Sequence, residues 1–344
     1  MVSAGDAGPT VAHATQPVMS SPSLGLVGRR VVVEVPATSA NLGAGYDCLG
    51  LALDITNEVE VEVLDDAELA GDGVGSHVEL AVEGEGAGEL RGDRSNRFVA
   101  GMEAAFGPAE FELPPRSRWR LAMRNRIPLS RGLGSSASAT IGGLIAANAL
   151  LGQPLDVPRL LRLATEIEGH PDNASAALLG GFVVSAVIDD EVEAIRFDAP
   201  PDLIVVLFIA DLRLSTSDMR KVLPQSVPLV DAVANLGRVA LGVAGLATGR
   251  ADVLAALTVD RLHEPYRVAA FPQLPRLIAA AREAGAIGAC LSGAGSTVLA
   301  FCRSGSTCDA VGSAFERAAL ETGLPGRVQV VSPRNEGARV LALA

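Results

Sequence analysis

The chain reads Pro128-Leu129-Ser130-Arg131-Gly132-Leu133-Gly134-Ser135-Ser136-Ala137-Ser138-Ala139, a glycine- and serine-rich turn that leads directly into a predicted helix of small residues. Two glycines allow the backbone to approach a ligand closely and to turn its N–H groups inward. The first turn of the helix adds unpaired N–H donors and a partial positive charge. Such a turn is typical of an anion site, most often one for phosphate.

The lysine content excludes the commonest nucleotide-binding loop. Lys221 is the only lysine beside 27 arginines, and no Gly-Lys-Ser or Gly-Lys-Thr sequence occurs. A P-loop needs that lysine for the phosphates, and a protein kinase needs one on a strand. We therefore expect backbone N–H groups, serine hydroxyls, a metal ion and arginine to hold the phosphate.

Length and composition indicate a globular protein with two compact domains. The chain has 344 residues, 49% of them apolar, and a formal net charge of −12. With 40 acidic against 28 basic residues and no run of Lys and Arg, no nucleic-acid partner is expected. The longest uninterrupted apolar run, Leu203 to Ala210, is too short to span a bilayer, so no membrane association is expected.

The amino-terminal segment and the cysteines indicate the cytoplasm. Residues 1–28 are rich in Ser, Pro, Gly and Ala and lack the basic start and apolar block of a secretory signal. We interpret them as a disordered tail. The cysteines fit no zinc-binding spacing, and free buried thiols in a reducing cytoplasm are expected at Cys48, Cys290, Cys302 and Cys308.

The pattern of predicted elements favours the α+β fold class. Alternating apolar residues predict strands over Arg30 to Pro36 and Ile55 to Leu64, which flank a loop. Strict alternation of strands and helices is absent, which argues against a doubly wound sheet. The acidic, proline-containing segment Asp189 to Pro201 is the expected boundary between domains 29–192 and 193–344. Further strands are predicted at 77–82, 118–127, 182–188, 203–210, 328–331 and 339–343, and helices at 95–106, 156–168, 217–223, 229–247, 274–284 and 306–321.

The glycine- and serine-rich turn Pro128–Gly134 is called the phosphate turn below. Two other loops also contain candidate polar residues. The loop before Gly50 is long for a hairpin, and its Asn41 and Asp47 could present an amide and a carboxylate to a small ligand. An ordinary glycine-rich loop would look the same. In the segment His170-Pro171-Asp172-Asn173, Asp172 could orient or deprotonate a hydroxyl, and His170 could bind a carboxylate or amine. Cap and turn chemistry at the helix end is the alternative.

Small residues also join two apolar strands, in the segment Leu291 to Ser296. That composition requires something to pack closely against the turn, unless the segment is a simple tight bend. Arg220 and Arg267 suit a substrate carboxylate because a guanidinium binds it bidentately, although most surface arginines are only solvated. A magnesium ion at the phosphate turn would need a carboxylate, and Glu166 and Glu168 are the available choices.

Taken together and in this order, the segments resemble the motifs of the GHMP small-molecule kinase superfamily, and within it those of the homoserine kinase family. The family motif PATSANLGxGFDxLGLAL is similar to Pro36 to Leu53, with Tyr46 in place of Phe. The second motif, PxxxGLGSSA, matches Pro128 to Ala137 without departure. The loop HxDNVAPAxLGG is matched by 170–181 except for Ala-Ser-Ala in place of Val-Ala-Pro, and LSGAGPT is matched by 291–297 with Ser296 in place of Pro.

The resemblance implies a role for each matching position. The turn Pro128 to Ser138 resembles the phosphate cradle for ATP, and Asn96 resembles the asparagine on the nucleoside side. Ser136 with Glu166 resembles the magnesium pair, and Glu168 is the competing carboxylate. In the homoserine pocket the arginines would take the α-carboxylate and Asp47 the α-ammonium, with Asp172 and Asn41 as catalytic candidates. The pocket positions are Asn41, Asp47, His170, Asp172, Asn173, Arg220 and Arg267, and those of the third motif are Gly293, Ala294, Gly295 and Ser296.

The resemblance, over roughly residues 29–344, also implies a fold and an activity. The fold is an amino-terminal domain of a ribosomal-protein-like kind with a left-handed crossover, then a ferredoxin-like α/β sandwich, with the active site between them. The activity is magnesium-dependent transfer of the ATP γ-phosphoryl group to the side-chain hydroxyl of L-homoserine for threonine biosynthesis, by a homodimer. Whether Asp172 removes the hydroxyl proton or only orients the group is left open.

Two alternatives to that activity remain at this point. One is a GHMP kinase for another small alcohol, which the combination of Asp47 with Arg220 and Arg267 disfavours, because those charges suit an amino acid. The other is a catalytically silent ligand-sensing paralogue. The presence of every presumed metal and phosphate residue disfavours it.

Overall fold

The computed structural model describes residues 25–64, 78–109 and 118–344, which form two sheets with helices packed against them. The larger sheet contains seven strands in the order β11-β1-β2-β4-β3, with β5 paired to the other end of β2 and β6 paired to β5. β3 and β4 are parallel neighbours, and the other pairs are antiparallel. These strands are β1 (Arg30–Ala40), β2 (Leu49–Val63), β3 (Glu79–Gly84), β4 (Trp119–Asn125), β5 (Phe182–Ile188), β6 (Glu191–Phe197) and β11 (Arg339–Leu343).

Four helices pack on the larger sheet: α1 (Arg97–Phe106), α2 (Ser135–Leu150), α3 (Val157–Glu168) and α4 (Asp172–Leu179). Helix α2 is buried along most of its length, because its small Ser, Ala and Gly residues let α1 and the sheet approach closely. Its apolar positions share one core cluster with alternate residues of β1 and β2 and with Phe98 and Met102 of α1. The phosphate turn lies at the amino end of this buried helix and is therefore held by the core.

The smaller sheet has four antiparallel strands in the order β10-β7-β9-β8: β7 (Ile204–Ala210), β8 (Gly288–Leu291), β9 (Val298–Cys302) and β10 (Gly326–Val331). Helices α9 (Leu274–Glu283) and α10 (Gly305–Glu321) cover one face. The chain order β-α-β-β-α-β is that of a ferredoxin-like unit. Between β7 and α9 lie α5 (Thr216–Lys221), α6 (Leu229–Ala247), α7 (Leu254–Leu257) and α8 (Glu264–Arg267), with a 3₁₀ turn at Ala251–Val253.

A second core cluster joins the two sheets. It contains Leu51 and Leu53 of β2, Val205 and Leu207 of β7, and Leu299 of β9. The larger and the smaller sheet are therefore joined by one continuous apolar core. Polar loops from both sheets meet at the edge of this core.

The predicted α+β class is confirmed, and the expected boundary is wrong in detail. Residue 193 lies inside β6, which continues the larger sheet, and β11 returns from the carboxyl end to pair with β1. The strand β6 was not predicted, because none of its residues is buried and its segment was interpreted as the boundary between domains. The helix expected to be capped by Ser95 is capped by Asn96, whose Oδ1 accepts from Phe98 N. Residues 1–24 of the expected tail and His77 lie outside the described residues, whereas Leu26 is buried in the core.

Candidate functional site

A cleft of about 610 Å³ lies where the two parts of the chain meet. All candidate residues line it except Pro128, Ser296 and Glu166. Ser296 is instead buried and donates a hydrogen bond to Leu212 O after β7, so it anchors the third motif to the smaller sheet. The sequence therefore identified nearly all of a single cavity from segments that lie far apart in the chain.

The three glycine-containing segments are in direct contact. Gly293 N donates to Ala40 O at 3.1 Å, and Ser292 Oγ donates to Gly132 O at 2.6 Å. A Cβ on Gly132 would lie 2.2 Å from Ser292 O, and Gly132 has a φ of +76°. The prediction that another segment packs closely against the third motif is confirmed, since that segment is the phosphate turn itself.

The phosphate turn ends at Gly134, whose φ of 68° sets the direction in which α2 begins at Ser135. A Cβ on Gly134 would lie 1.9 Å from Thr38 Oγ1, so a side chain is excluded there. The amides of Ser135, Ser136 and Ala137 belong to the first turn of a helix, where no intrahelical partner exists. These three residues border the cleft, so N–H groups of the kind that bind anions at helix amino ends lie at its wall.

The expected pairing of Ser136 with Glu166 is wrong, and Glu168 takes that place. Ser136 Oγ donates to Glu168 Oε1 at 3.0 Å, and Thr140 Oγ1 donates to the same oxygen at 2.6 Å. The Glu168 side chain is 7% exposed, whereas that of Glu166 is 59% exposed and accepts from Arg162 Nε. Residues two apart on a helix point in different directions, so only one of the two carboxylates can face α2. Thr140, four residues after Ser136 on the same helical face, could have been found from that spacing.

The oxygen atoms at this end of the cleft suit a hard cation. Ser136 and Glu168 supply a hydroxyl and a carboxylate, the ligand types that Mg²⁺ accepts together with phosphate oxygens. Within residues 25–64, 78–109 and 118–344, no group of three or more His, Cys, Asp or Glu could hold a metal ion. A cation here would depend on phosphate for the rest of its ligands.

Asp172 lies at the start of α4, almost fully buried, with its hydrogen bonds concentrated on one oxygen. Oδ1 accepts from Asn173 N at 2.6 Å and lies 2.6 Å from His170 Nδ1. Thr38 Oγ1 donates to Asn173 Oδ1 at 2.8 Å, which fixes the neighbouring amide. Burial lowers the pKa of His170, but the hydrogen bond and the charge of Asp172 raise it by more, so the net pKa lies above the ordinary value.

Asn41 and Asp47 are linked to each other and to the third motif. Asn41 Oδ1 accepts from Asp47 N at 3.0 Å, and Asn41 Nδ2 donates to Gly293 O at 3.0 Å. Both ends of the Asn41 amide are therefore occupied by protein groups. These two bonds fix Asn41 between its loop and the third motif and leave one N–H of its amide available at the cleft, so its expected catalytic role stays a prediction.

The two arginines lie at the same end of the cleft in different environments. Arg220 makes two hydrogen bonds to the Asp47 carboxylate, at 2.7 and 2.9 Å, so these charges neutralise each other. Arg267 is buried, and both hydrogen bonds of its guanidinium are made by Nη1, to Gly293 O and His263 Nδ1. Its Nε is buried and has no hydrogen-bond partner among the described residues. Arg267 is thus a buried cation that lines the cleft and has an N–H group without an acceptor among the described residues.

Asn96, which caps α1, also lines the cleft. Its Oδ1 caps α1, while its Nδ2 is buried without a hydrogen-bond partner in the described part of the chain. Buried polar groups are normally hydrogen-bonded, so an unpartnered donor at a cavity indicates a site for an acceptor atom of a ligand.

Beneath the third motif lies a buried carboxylate that sequence reasoning missed. Glu264 Oε1 accepts from Leu291 N at 2.6 Å, and burial raises the pKa of Glu264 to about 8 from 4.5. The folded protein therefore holds this proton more tightly than the unfolded chain does. The stability that depends on Glu264 is complete below about pH 4.5 and is lost as the pH rises through about 8.

This pKa predicts the pH dependence of unfolding. Between pH 6.5 and 8, ionisation of Glu264 should lower the free energy of unfolding as the pH rises. Glu264→Gln should remove that part of the slope, because the amide accepts the same hydrogen bond without a charge. Urea unfolding at the two pH values measures the slope, with the exposed Glu316→Gln as the control. An unchanged slope in Glu264→Gln would contradict the assignment.

Two family profiles match the chain. The GHMP kinases N terminal domain matches residues 98–181, and the GHMP kinases C terminal domain matches residues 224–321. Together they cover both sides of the cleft.

Whole-length relatives give the same result. The chain is 42% identical over 310 residues to a homoserine kinase of Moorella thermoacetica, which covers 90% of this chain and 99% of the relative. A homoserine kinase of Synechococcus sp. is 40% identical, with 90% and 96% covered. Among solved structures, a homoserine kinase from Cytophaga hutchinsonii superposes with a TM-score of 0.79 at 28% identity, covering 91% and 97%. A mevalonate diphosphate decarboxylase from Staphylococcus aureus shares the fold, with a TM-score of 0.63 at 15% identity over 91% and 98%.

Proposed function

This chain belongs to the homoserine kinase family of GHMP kinases, and we propose that its cleft transfers the γ-phosphoryl group of ATP to the side-chain hydroxyl of L-homoserine. The product is O-phospho-L-homoserine, for threonine biosynthesis. One observation carries the proposal: a helix amino end that suits phosphate and an Asp and Arg set that suits an amino acid border the same cleft. Asp172 lies in the same cleft.

ATP binds at the end of the cleft formed by α1 and α2. The amides of the first turn of α2 and the turn from Gly132 to Gly134 hold the phosphates. The unpartnered Nδ2 of Asn96 supports a nucleoside site beside them, because it needs an acceptor. Arg131, at the same turn, adds a positive charge at the cleft.

Magnesium is the expected metal, held by Ser136 and Glu168 together with the ATP phosphates. The contact between these two side chains supports the assignment. The ion neutralises phosphate charge, which is the main demand of phosphoryl transfer. The side chains of Ser136, Thr140 and Glu168 fix the carboxylate oxygen in place before the ligands arrive.

L-Homoserine binds at the other end, where it meets opposite charges. The unused Nε of Arg267 supports binding of the α-carboxylate, and Asp47 suits the α-ammonium group. Arg220 is paired with Asp47. Once Asp47 binds the ammonium group, the positive charge of Arg220 also attracts the carboxylate of the substrate. A non-zwitterionic alcohol would leave the buried charge of Arg267 without an anionic partner, so an amino acid is favoured over another small alcohol.

Asp172 orients the substrate hydroxyl toward the phosphates. The hydrogen bonds between its carboxylate and the described residues fall on Oδ1, which leaves Oδ2 to accept from the hydroxyl. His170 and Asn173 hold the carboxylate in that orientation. Catalysis then depends on positioning and charge neutralisation, because a loose transition state needs little early proton removal.

A coupled ADP-release assay tests the activity directly. With ATP and magnesium, homoserine should support turnover, whereas mevalonate, galactose and shikimate at equal concentration should give only background ATP hydrolysis. Preferred turnover of one of the other alcohols would favour a different GHMP kinase, and no turnover with any would favour a silent paralogue.

Replacing Arg267 tests the carboxylate site. Arg267→Leu removes a buried charge-assisted contact, and kcat/KM for homoserine should fall by about 2 to 4 kcal/mol, or roughly 30- to 1,000-fold. The KM for ATP should barely change, because the arginine lies at the other end of the cleft. Steady-state kinetics with each substrate varied in turn measures both. Unaltered homoserine kinetics would remove Arg267 from the pocket.

A cytoplasmic location and a homodimer complete the proposal. All four cysteines are free and none forms a disulfide, which supports a reducing compartment. The exposed face of α6 supports the dimer, since Leu229, Val233, Leu236 and Leu241 on it are 57–79% exposed. By length and hydropathy α6 could also cross a membrane, but a single such helix is weak evidence. An uncharged helical face of this kind suits the same face of a second copy.

The α6 face is tested by light scattering after gel filtration. Leu236→Asp should convert a dimer into a monomer, because a carboxylate would be buried between the two helices. Leu320→Asp, at a leucine of α10 that is more exposed than Leu236, is the control and should stay dimeric. A wild-type chain that elutes as a monomer, or an unchanged dimer in Leu236→Asp, would contradict the interface.

A further inference from the structure

Two aromatic side chains lie behind the substrate end of the cleft: Tyr46 contacts both arginines, and His263 contacts Arg267. The Tyr46 ring centroid is 5.5 Å from Arg220 Cζ and 5.6 Å from Arg267 Cζ, and Tyr46 Oη accepts from Arg220 Nη1. The ring of the fully buried His263 lies against Tyr46, with 5.2 Å between centroids. Neither side chain lines the cleft itself.

The hydrogen bonds of His263 fix its tautomer. Arg267 Nη1 can only donate, so His263 Nδ1, at 3.0 Å, accepts. His263 Nε2 lies 2.8 Å from Gly43 O and therefore carries the proton and donates. Burial lowers the pKa of His263 to about 4, in agreement with the neutral ring that this pattern requires.

The backbone at His263 is held independently of any ligand. Asp260 accepts hydrogen bonds from the backbone N–H groups of His263 and Glu264, each at 2.7 Å. Asn235 of α6 donates to the same carboxylate at 2.7 Å and to Ala44 O at 3.1 Å. The turn that carries His263 is thus fastened to the loop that carries Asp47.

We infer that His263 is a positioning residue for the substrate carboxylate and acts through Arg267. With Nη1 held by His263 and Gly293 O, rotation of the guanidinium is prevented, and its charge and the N–H groups that no described residue accepts are held in place for a carboxylate. Tyr46 supports this arrangement, because its ring lies within 5.6 Å of both guanidinium carbons. The inference rests on the proposed function, since it requires a substrate with a carboxylate.

Two variants separate the two hydrogen bonds of His263. His263→Asn places an amide oxygen near the position of Nδ1 and keeps an acceptor for Arg267. His263→Gln places its amide nitrogen near the position of Nε2 and keeps the donor to Gly43 O. If His263 acts through Arg267, His263→Asn should keep more of the enzyme's preference for a carboxylate than His263→Gln does. A purely structural role in holding the Gly43 loop predicts the reverse order.

The measured quantity is the enzyme's preference for a substrate that has a carboxylate over one that lacks it. Each enzyme is assayed with homoserine and with 3-aminopropan-1-ol, which is homoserine without its carboxylate, and the ratio of the two kcat/KM values is taken. This ratio is independent of the fraction of enzyme that folds. We expect His263→Gln to lower it by about 10-fold or more and His263→Asn to keep it within about 3-fold of wild type.

Each outcome is informative. Equal, wild-type ratios in both variants, or a larger loss in His263→Asn than in His263→Gln, would overturn the inference while homoserine kinase activity remains. A wild-type enzyme that fails to prefer homoserine over 3-aminopropan-1-ol would instead contradict the proposed function.

Discussion

Glu168→Gln is expected to lower kcat by about 10²- to 10³-fold, the range for loss of one preorganised electrostatic group at a reacting centre. The amide keeps the hydrogen bonds from Ser136 and Thr140 but loses the charge that a magnesium ion needs. The magnesium concentration for half-maximal rate should therefore rise as well. Steady-state rates over a magnesium titration at saturating ATP and homoserine measure both effects.

Glu166→Gln is the matched control for that prediction. The two glutamates lie on the same helix and differ in which side they face, and Glu166 is paired with Arg162 at the surface. Its replacement should change kcat and the magnesium requirement by less than about 2-fold, since exposed pairs contribute little. If Glu166→Gln proves the more damaging change, the arrangement of α3 against α2 does not represent the working enzyme.

Asp172→Asn is expected to give the second large loss, and its form distinguishes the two possible roles. If Asp172 orients homoserine, the KM for homoserine should rise at least about 10-fold and the pH profile should keep its shape, since binding shared by ground and transition states does not raise kcat. The contacts of Asp172 with His170 and Asn173 favour that result. Measuring kcat and KM from pH 6 to pH 9 decides between the roles.

The contrary result for Asp172 is equally specific. A general base supplies about 10²- to 10⁴-fold, so proton removal would appear as a kcat loss of that order with a flattened acidic limb. Full activity would remove Asp172 from the site altogether.

Local signals in the sequence predicted most of the helices and strands. Helix α6 was predicted with its observed bounds, Leu229–Ala247, and β5 and β11 likewise. The partners of those elements were not predictable in the same way. The pairing of β11 with β1 joins residues that are about 300 positions apart, and nothing in the sequence of either strand specifies it.

The sequence predicted those parts of the candidate site whose geometry is set by the backbone. Gly132 and Gly134 are required by close approaches to Ser292 and Thr38, so the motif carries their geometry. The orientation of a side chain on a helix depends instead on which face packs, and this decided between Glu166 and Glu168. His263 was missed for a related reason. Its sequence context is unremarkable, and its role follows from contacts with Arg267 and Gly43 that only the fold creates.

The most direct test of the central claim is the ³¹P NMR spectrum of a reaction containing the enzyme, ATP, magnesium and L-homoserine. Transfer to the side-chain hydroxyl predicts a phosphomonoester signal, split by the two protons of the adjacent CH₂ group, that grows as the γ-phosphate signal of ATP declines. An acyl phosphate on the carboxylate, or inorganic phosphate alone, would contradict the account.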